Sequence, residues 1–246
     1  MPTQIDYSGS ELELFATAAN WKGYWGEIVS PYLVGQVLEV GAGLGANTQA
    51  LVSTAPWTAW TCLEPDPNLC RHMADALASL PEAGRITITN GLVADLPRQP
   101  VFDAALYLDT LEHIANDRAE IGLLDQLLRP GAHLIVLAPA HQFLFSPFDT
   151  AIGHHRRYER RSLTAAIPSC YQRIRLAYID SLGLLLSLGN RLLLRQSTPS
   201  EAQIRFWDQA VVPVSRRLDR LTGYRVGKSL LGIWRKPAEH RDNEGQ

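Results

Sequence analysis

Short apolar runs alternate with amphipathic stretches along most of the chain. Val37–Val40 is apolar but for Glu39 and ends on Gly41-Ala42-Gly43-Leu44-Gly45. A run of that length closed by a glycine turn reads as a buried parallel strand, and Asn47-Thr48-Gln49-Ala50-Leu51 starts a helix. The pattern repeats with Trp57–Leu63 as second strand, Asn68–Leu80 as an amphipathic helix and Arg85–Thr89 as third strand. Ala104–Leu108 reads as the fourth strand, Leu111-Glu112-His113 opens the next helix, Ile121–Leu128 is helical, and His133–Ala138 is the fifth strand after an Arg129-Pro130-Gly131-Ala132 turn. Ser162–Ile167 predicts a helix, Gln172–Ile179 a sixth strand and Leu230–Arg235 a seventh. Strands alternating with helices predict an α/β fold.

Two stretches fall outside this alternation. Residues 1–10 are polar and read as loose, after which Leu12, Leu14, Phe15 and Ala18–Ala19 start a helix. Asn20-Trp21-Lys22-Gly23-Tyr24-Trp25 is an aromatic cluster, and Ile28, Val29, Tyr32 and Leu33 continue its apolar face, with Pro31 at a helix start or turn. Residues 11–34 are read as a helical lid, the alternative being a satellite core. Asp180–Val226 inserts 47 residues before the last strand, including Leu182–Leu194 and Phe206–Leu221. Leu182–Leu194 is too short, and too broken by Gly189, Asn190 and Arg191, to span a bilayer. Core or dimer packing is its expected role; lying on a membrane or lining a substrate pocket are the alternatives. Residues 1–236 are expected to form one domain, with 237–246 as a polar, disordered tail.

Composition adds little until it is divided. The 246 residues, 46% hydrophobic, suffice for one sizeable core. Net charge is −2, yet residues 1–150 hold 6 Lys and Arg against 17 Asp and Glu, while residues 151–246 hold 17 against 8. The basic half permits an anionic partner, or merely neutralises the acidic one. Cys62, Cys70 and Cys170 lack metal-site spacing and fit reduced thiols. No leader-like segment is seen, so a cytoplasmic location is the default expectation.

The glycine turn carries the first chemistry. Its glycines let backbone approach a ligand at the carboxyl end of a strand, as in nucleotide sites. Gly41, Gly43 and Ala46 also satisfy a dinucleotide fingerprint, which keeps a nicotinamide-dependent oxidoreductase open. Glu39 tips the balance, because a carboxylate there pairs with an ammonium but repels a pyrophosphate. E-x-G-x-G-x-G resembles the first motif of class I S-adenosylmethionine-dependent methyltransferases. Asp109-Thr110-Leu111-Glu112-His113 resembles the D-x-L-E-H fourth motif of their small-molecule and quinone-type branch, not the N-P-P-Y of amino-directed nucleic-acid enzymes. L-R-P-G-A-H-L-I-V resembles the stretch before their fifth strand.

This resemblance implies a Rossmann-like, doubly wound, mostly parallel seven-stranded sheet with an antiparallel last strand, here with a helical insertion. It implies S-adenosylmethionine as cofactor, held by Glu39, Gly41, Ala42, Gly43 and Asn47. Glu64 lies 21 residues after Gly43, where an acid accepts ribose hydroxyls, with Pro65 and Asp66 beside it. Val93, Ala94 and Asp95 fall in the adenine-holding segment, although Leu92 stands where the family has Asp. Asp109, Thr110 and His113 complete the implied cofactor set.

The acceptor side is expected in Pro139–Leu163, a long connector rich in aromatic and basic residues. Its P-A-H-x-x-L-F-S-x-x-D-x-x-x-G-H-x-R-R-Y pattern resembles one branch of bacterial class I methyltransferases. Expected acceptor contacts are Tyr24, Trp25, Phe145, Asp149, His155, Arg157 and Tyr158. An oxygen acceptor needs its proton removed, for which His141 is favoured and then His154. No metal is expected, since no carboxylate constellation stands out and methyl transfer requires none. The expected reaction is methylation of O or N on a small-molecule acceptor. Alternatives are a lipid-linked or glycan acceptor at a membrane surface and a non-catalytic SAM-binding partner. No nucleic-acid partner or transmembrane segment is expected; homodimer and peripheral membrane contact stay open.

Overall fold

The computed structural model describes residues 11–189 and 200–238. Two short helices, α1 (Glu11–Ala16) and α2 (Ala19–Val29), and a Pro31-containing 3-10 turn precede β1 (Gly35–Val40). The alternation then runs α3 (Ala46–Val52), β2 (Trp57–Glu64), α4 (Pro67–Leu77), β3 (Ile86–Asn90), β4 (Phe102–Leu108), α5 (Asp117–Asp125) and β5 (Leu128–Pro139). After it come α6 (Pro147–Ala151), α7 (Arg160–Ala166), β6 (Gln172–Ile179) and α8 (Ser181–Gly189). The last elements are α9 (Glu201–Phe206), α10 (Val212–Leu221) and β7 (Ser229–Arg235).

The seven strands form one sheet in the order β3-β2-β1-β4-β5-β7-β6. Neighbours from β3 to β5 pair in parallel, while β7 is antiparallel to both β5 and β6. Strand order reverses between β1 and β4, which opens a crevice at their carboxyl ends. Leu38, Val40, Ala105 and Tyr107 face one core layer; Val37, Ala104 and Leu106 face the other. Both faces are covered, as the nearly continuous apolar strands require.

Local chemistry explains where the elements start and where expectation slipped. Pro67 opens α4 behind Asp66, whose Oδ1 accepts the N–H of Asn68 at 2.7 Å. Leu111–His113 is one 3-10 turn rather than the start of a long helix; α5 begins later, where Asn116 Oδ1 caps Ala119 N–H at 3.1 Å. Arg129–Ala132 does not form a separate turn but bulges within β5, where pairing jumps from Phe102↔Leu128 to Ala104↔His133 and Gly131 takes φ +83°.

Helices α9 and α10 are joined by a π turn, Trp207–Val211, just ahead of Pro213, which has no N–H to continue an α ladder. Three buried aspartates lock this segment in place. Asp180, at φ +66°, accepts Ser215 Oγ at 2.7 Å and Trp207 Nε1 at 2.8 Å. Asp219 accepts the backbone N–H groups of Asp180 and Ser181 and the hydroxyl of Tyr24. Asp208 accepts the N–H groups of Asn20 and Trp21 at the start of α2. The N-terminal helices and the insertion therefore form one cap above the crevice. Among the described residues no helix is long and apolar enough to cross a membrane. The expectations for residues 1–10, for Asn190–Leu194 and for most of the tail lie outside the described residues.

Candidate active site

A cavity of about 1260 Å³ opens between the carboxyl ends of the central strands and this helical cap. Its floor is Gly41–Leu44 with Ala46 and Asn47, and one wall is Leu108, Asp109 and His113. Pro139, Leu144–Phe148, His154 and Arg157 form a second wall, while Trp21, Lys22, Trp25, Trp207 and Lys228 close the cap side.

The glycine turn is built by backbone geometry. Gly41, Gly43 and Gly45 all have positive φ, and a Cβ on Gly41 would lie 2.4 Å from Thr110 Cγ2. Thr110 thus packs beneath the turn instead of facing the cavity. Gly43 N–H donates to Glu64 Oε2 at 2.8 Å, and Asp66 N–H donates to Glu64 Oε1 at 3.0 Å. Burial raises the Glu64 carboxyl, against the pull of these two bonds. Glu39 is buried under the turn; its Oε2 accepts Thr48 Oγ1 at 2.6 Å and Trp60 Nε1 at 3.0 Å, while Oε1 has no partner. Desolvation pushes its carboxyl up to about 7.

The adenine-side candidates lie outside the cavity lining. Asp95 Oδ2 accepts Leu92 N–H, and the carbonyls of Val93 and Ala94 accept from Arg98. Asp66 caps α4, and the Pro65 carbonyl accepts from Asn90 Nδ2.

Asp109 sits at the end of β4 at φ +52°, a strained conformation for a non-glycine residue. Its side chain lines the cavity and is exposed there. Desolvation lifts its carboxyl to about 6, offset by the charges of His154, Lys228 and Lys22. Lys22 Nζ donates to the carbonyls of Phe15 and Ala16 at 2.6 and 3.0 Å, closing α1 onto α2, and burial brings it down to about 8. Lys228 lies over the Trp207 ring and is lowered by burial.

Opposite stands a charged cluster from two distant segments. Arg157 donates to Asp149 through Nε at 2.8 Å and Nη2 at 3.0 Å, and Ser146 adds its N–H and hydroxyl. Asp149 in turn holds His154 Nδ1 at 3.1 Å. Burial alone would raise the Asp149 carboxyl, but the His154 and Arg157 bonds hold it well below the usual range. The His154 and His113 rings meet edge to face at 4.5 Å, and burial lowers His113 to about 4. Glu112 is wholly buried beside them, with no hydrogen-bond partner on either oxygen, and desolvation raises it well above the carboxylate range.

The structure redistributes the acceptor-side candidates. Trp25, Phe145, His154 and Arg157 line the cavity; Tyr24, Asp149, His141, His155 and Tyr158 do not. Tyr24 is buried against Asp219, and Tyr158 gives its hydroxyl to Asp117 at 2.8 Å. Asp149 acts behind the wall, through His154 and Arg157. His155 is exposed, with its N–H on the Glu112 carbonyl. His141, the favoured base, stacks on Tyr178 at 4.8 Å and bonds Gly227 O through Nε2, so it is turned away from the cavity. Lys228, just ahead of β7, and Glu112 were not among the expected site residues; for Glu112 the D-x-L-E-H context was the available signal.

Residues 38–134 match the model of a family described as a methyltransferase domain. No curated protein matches the chain. Among solved structures, an S-adenosylmethionine-dependent methyltransferase from Mesorhizobium loti superposes with TM-score 0.57 at 17% identity, over 89% of this chain and 99% of that one. Phosphoethanolamine N-methyltransferase 2 of Haemonchus contortus, solved with phosphomonomethylethanolamine and S-adenosylhomocysteine, matches with TM-score 0.62 at 13% identity. That match covers 93% of this chain and 58% of the other. The [4+2]-cyclase SpnF matches with TM-score 0.62 at 16% identity over 96% and 86%. At such identities the likeness is one of fold, and a cyclase among the matches shows why fold alone does not fix a reaction. The matched segment spans β1 to β5 and contains the glycine turn, Glu64 and the Asp109–His113 turn. That segment therefore matches a methyltransferase domain, and solved neighbours of the same fold hold S-adenosylmethionine or S-adenosylhomocysteine.

Proposed function

We propose that the protein transfers a methyl group from S-adenosylmethionine to an oxygen or nitrogen of a small-molecule acceptor bound in the cavity. The observation that carries this reading is the cavity itself. At about 1260 Å³ it exceeds the roughly 300–1,000 Å³ usual for one small ligand, and its two sides differ in chemistry. The glycine turn supplies backbone on one side; His113, His154, Arg157 and Phe145 supply polar and aromatic groups on the other.

The residues fit the cofactor. Glu39 Oε1, buried without a partner, suits an ammonium group beneath the turn. Each Glu64 oxygen accepts one backbone bond and keeps a second lone pair for a ribose hydroxyl. When bound, the cofactor supplies a methyl group already activated on a sulfonium. The chain's task is to hold the acceptor in line and exclude water, and such positioning contributes about 7–11 kcal/mol in favourable cases. Trp21, Trp25 and Trp207 form the water-excluding cap, and an acceptor hydroxyl gives up its proton at the Asp109, His113 and His154 wall.

A second reading rests on the rim. Leu185, Leu186 and Phe206 border the cavity yet are 60%, 45% and 61% exposed. An acceptor with a long apolar chain, including a lipid-linked one, would cover them. The experiment is incubation with methyl-labelled S-adenosylmethionine and separated polar and apolar metabolite fractions. Label on a small molecule, with S-adenosylhomocysteine released, supports the proposal, and its fraction decides between the readings. Label only on protein or nucleic acid, or turnover of no fraction, contradicts it.

A further inference from the structure

We propose that Glu112, His113 and His154 bind a divalent first-row transition-metal ion at the acceptor wall of the cavity. Their ligand atoms all lie within 4.8 Å of one another, although His154 is 41 residues from His113 in sequence. Glu112 is wholly buried, and neither of its carboxylate oxygens has a hydrogen-bond partner. A buried carboxylate left so is costly unless something else meets it. The neighbour facing it is His154 Nε2, 3.8 Å from Oε1, too far for a hydrogen bond. Two donors of one ion, each bonded at about 2.0–2.2 Å, stand about 3–3.6 Å apart, so movements of about an ångström close the cluster on a cation.

The surroundings match a metal site as well. Asp149 Oδ1 engages His154 Nδ1 at 3.1 Å, which leaves Nε2 as the atom directed at Glu112. Carboxylates behind ligating histidines fix tautomer and ring orientation in this way. Asp149 is itself clamped by both Arg157 nitrogens and by Ser146. His113 is held by a hydrogen bond to the Ile152 backbone. Two imidazoles and one carboxylate form the donor set of open-faced Mn²⁺, Fe²⁺, Co²⁺ or Zn²⁺ sites, whereas Mg²⁺ and Ca²⁺ prefer all-oxygen sets. His113 and His154 line the cavity, so the remaining coordination positions face the acceptor. There the ion would bind an acceptor oxygen and lower the pKa of its hydroxyl. That role rests on the cavity being the transfer site; the binding of the ion does not.

Titration of the metal-stripped protein with Co²⁺, read by its visible d–d absorption and by calorimetry, tests the site without substrate. One equivalent should bind and be displaced by Zn²⁺. Glu112→Gln, nearly isosteric, and His154→Ala should each weaken Co²⁺ binding at least tenfold, and Asp149→Asn by about 10–100-fold. His72→Ala, at an exposed histidine on α4, should leave it unchanged. Circular dichroism confirms that each variant is folded, and the wild-type titration stands if one is not. Absence of one-equivalent binding at millimolar Co²⁺, or binding that survives both Glu112→Gln and His154→Ala, overturns the proposal. S-adenosylmethionine binding is measured separately, so failure of the metal site is distinguishable from failure of the transferase reading.

Discussion

Asp208 accepts the backbone N–H of Trp21 at 2.8 Å across 187 residues of chain. The bond caps α2 from the far end of the insertion, and the Trp21 and Trp207 rings pack 5.4 Å apart beside it. The two segments that border the cavity from above therefore hold each other in place. Asp208→Ala leaves the first N–H groups of α2 unpaired in a buried setting, and about 2–3 kcal/mol of stability should be lost. Urea unfolding monitored by tryptophan fluorescence checks this, and a loss under 0.5 kcal/mol would show that the cap is dispensable.

Glu64 links β2 to the glycine turn through Gly43 N–H. Glu64→Ala should weaken S-adenosylmethionine binding by about 1.5–3 kcal/mol, the cost of hydrogen bonds to a charged group. Calorimetry on the variant measures it. An unchanged Kd would remove Glu64 from the cofactor contacts.

Glu39 predicts a pH dependence. Its folded pKa, about 7, lies above the ordinary value of 4.5 because burial disfavours the charged form. A raised pKa means its contribution to stability is complete below pH 4.5 and declines as pH rises through 7. The difference corresponds to about 3 kcal/mol. Glu39→Gln cannot ionise, so wild type should lose stability relative to it between pH 4.5 and 7. Parallel denaturation curves across that range provide the check, and a constant difference would contradict the assignment.

The strands and the glycine turn were legible because their signals are local. Val37–Val40 and Gln172–Ile179 are apolar or alternating runs, and a turn with three glycines has few other uses. The cavity wall that carries His154 was not legible in the same way. His141 and His154 both sit in a histidine-rich loop, and the decisive fact is which neighbour each ring meets. Tyr178 on β6 and Gly227 capture His141, whereas Asp149 and the Asp109–His113 turn direct His154 inward. Such pairings span up to 86 residues, beyond any spacing rule. Glu112 was hidden likewise, since the charged groups near it, His154, Arg157 and Asp149, come from a loop that folds over it.

Those two histidines separate by mutation. His141→Ala should change turnover less than about threefold, with some loss of stability from the Tyr178 stack. His154→Ala should lower turnover on an oxygen acceptor by about 100-fold or more, the scale of a lost activating group, with S-adenosylmethionine affinity nearly unchanged. Steady-state kinetics with paired calorimetry distinguishes them, and the reverse order would move the acceptor to the other side of the loop.

The central claim is that the cavity over Gly41–Gly45 holds S-adenosylmethionine, and direct calorimetric titration tests it most plainly. The account predicts one site per chain for S-adenosylmethionine or S-adenosylhomocysteine, with a Kd near micromolar, about −8 kcal/mol. NADH should give no saturable heat. Tight NADH binding with no response to either sulfur nucleoside would contradict the account.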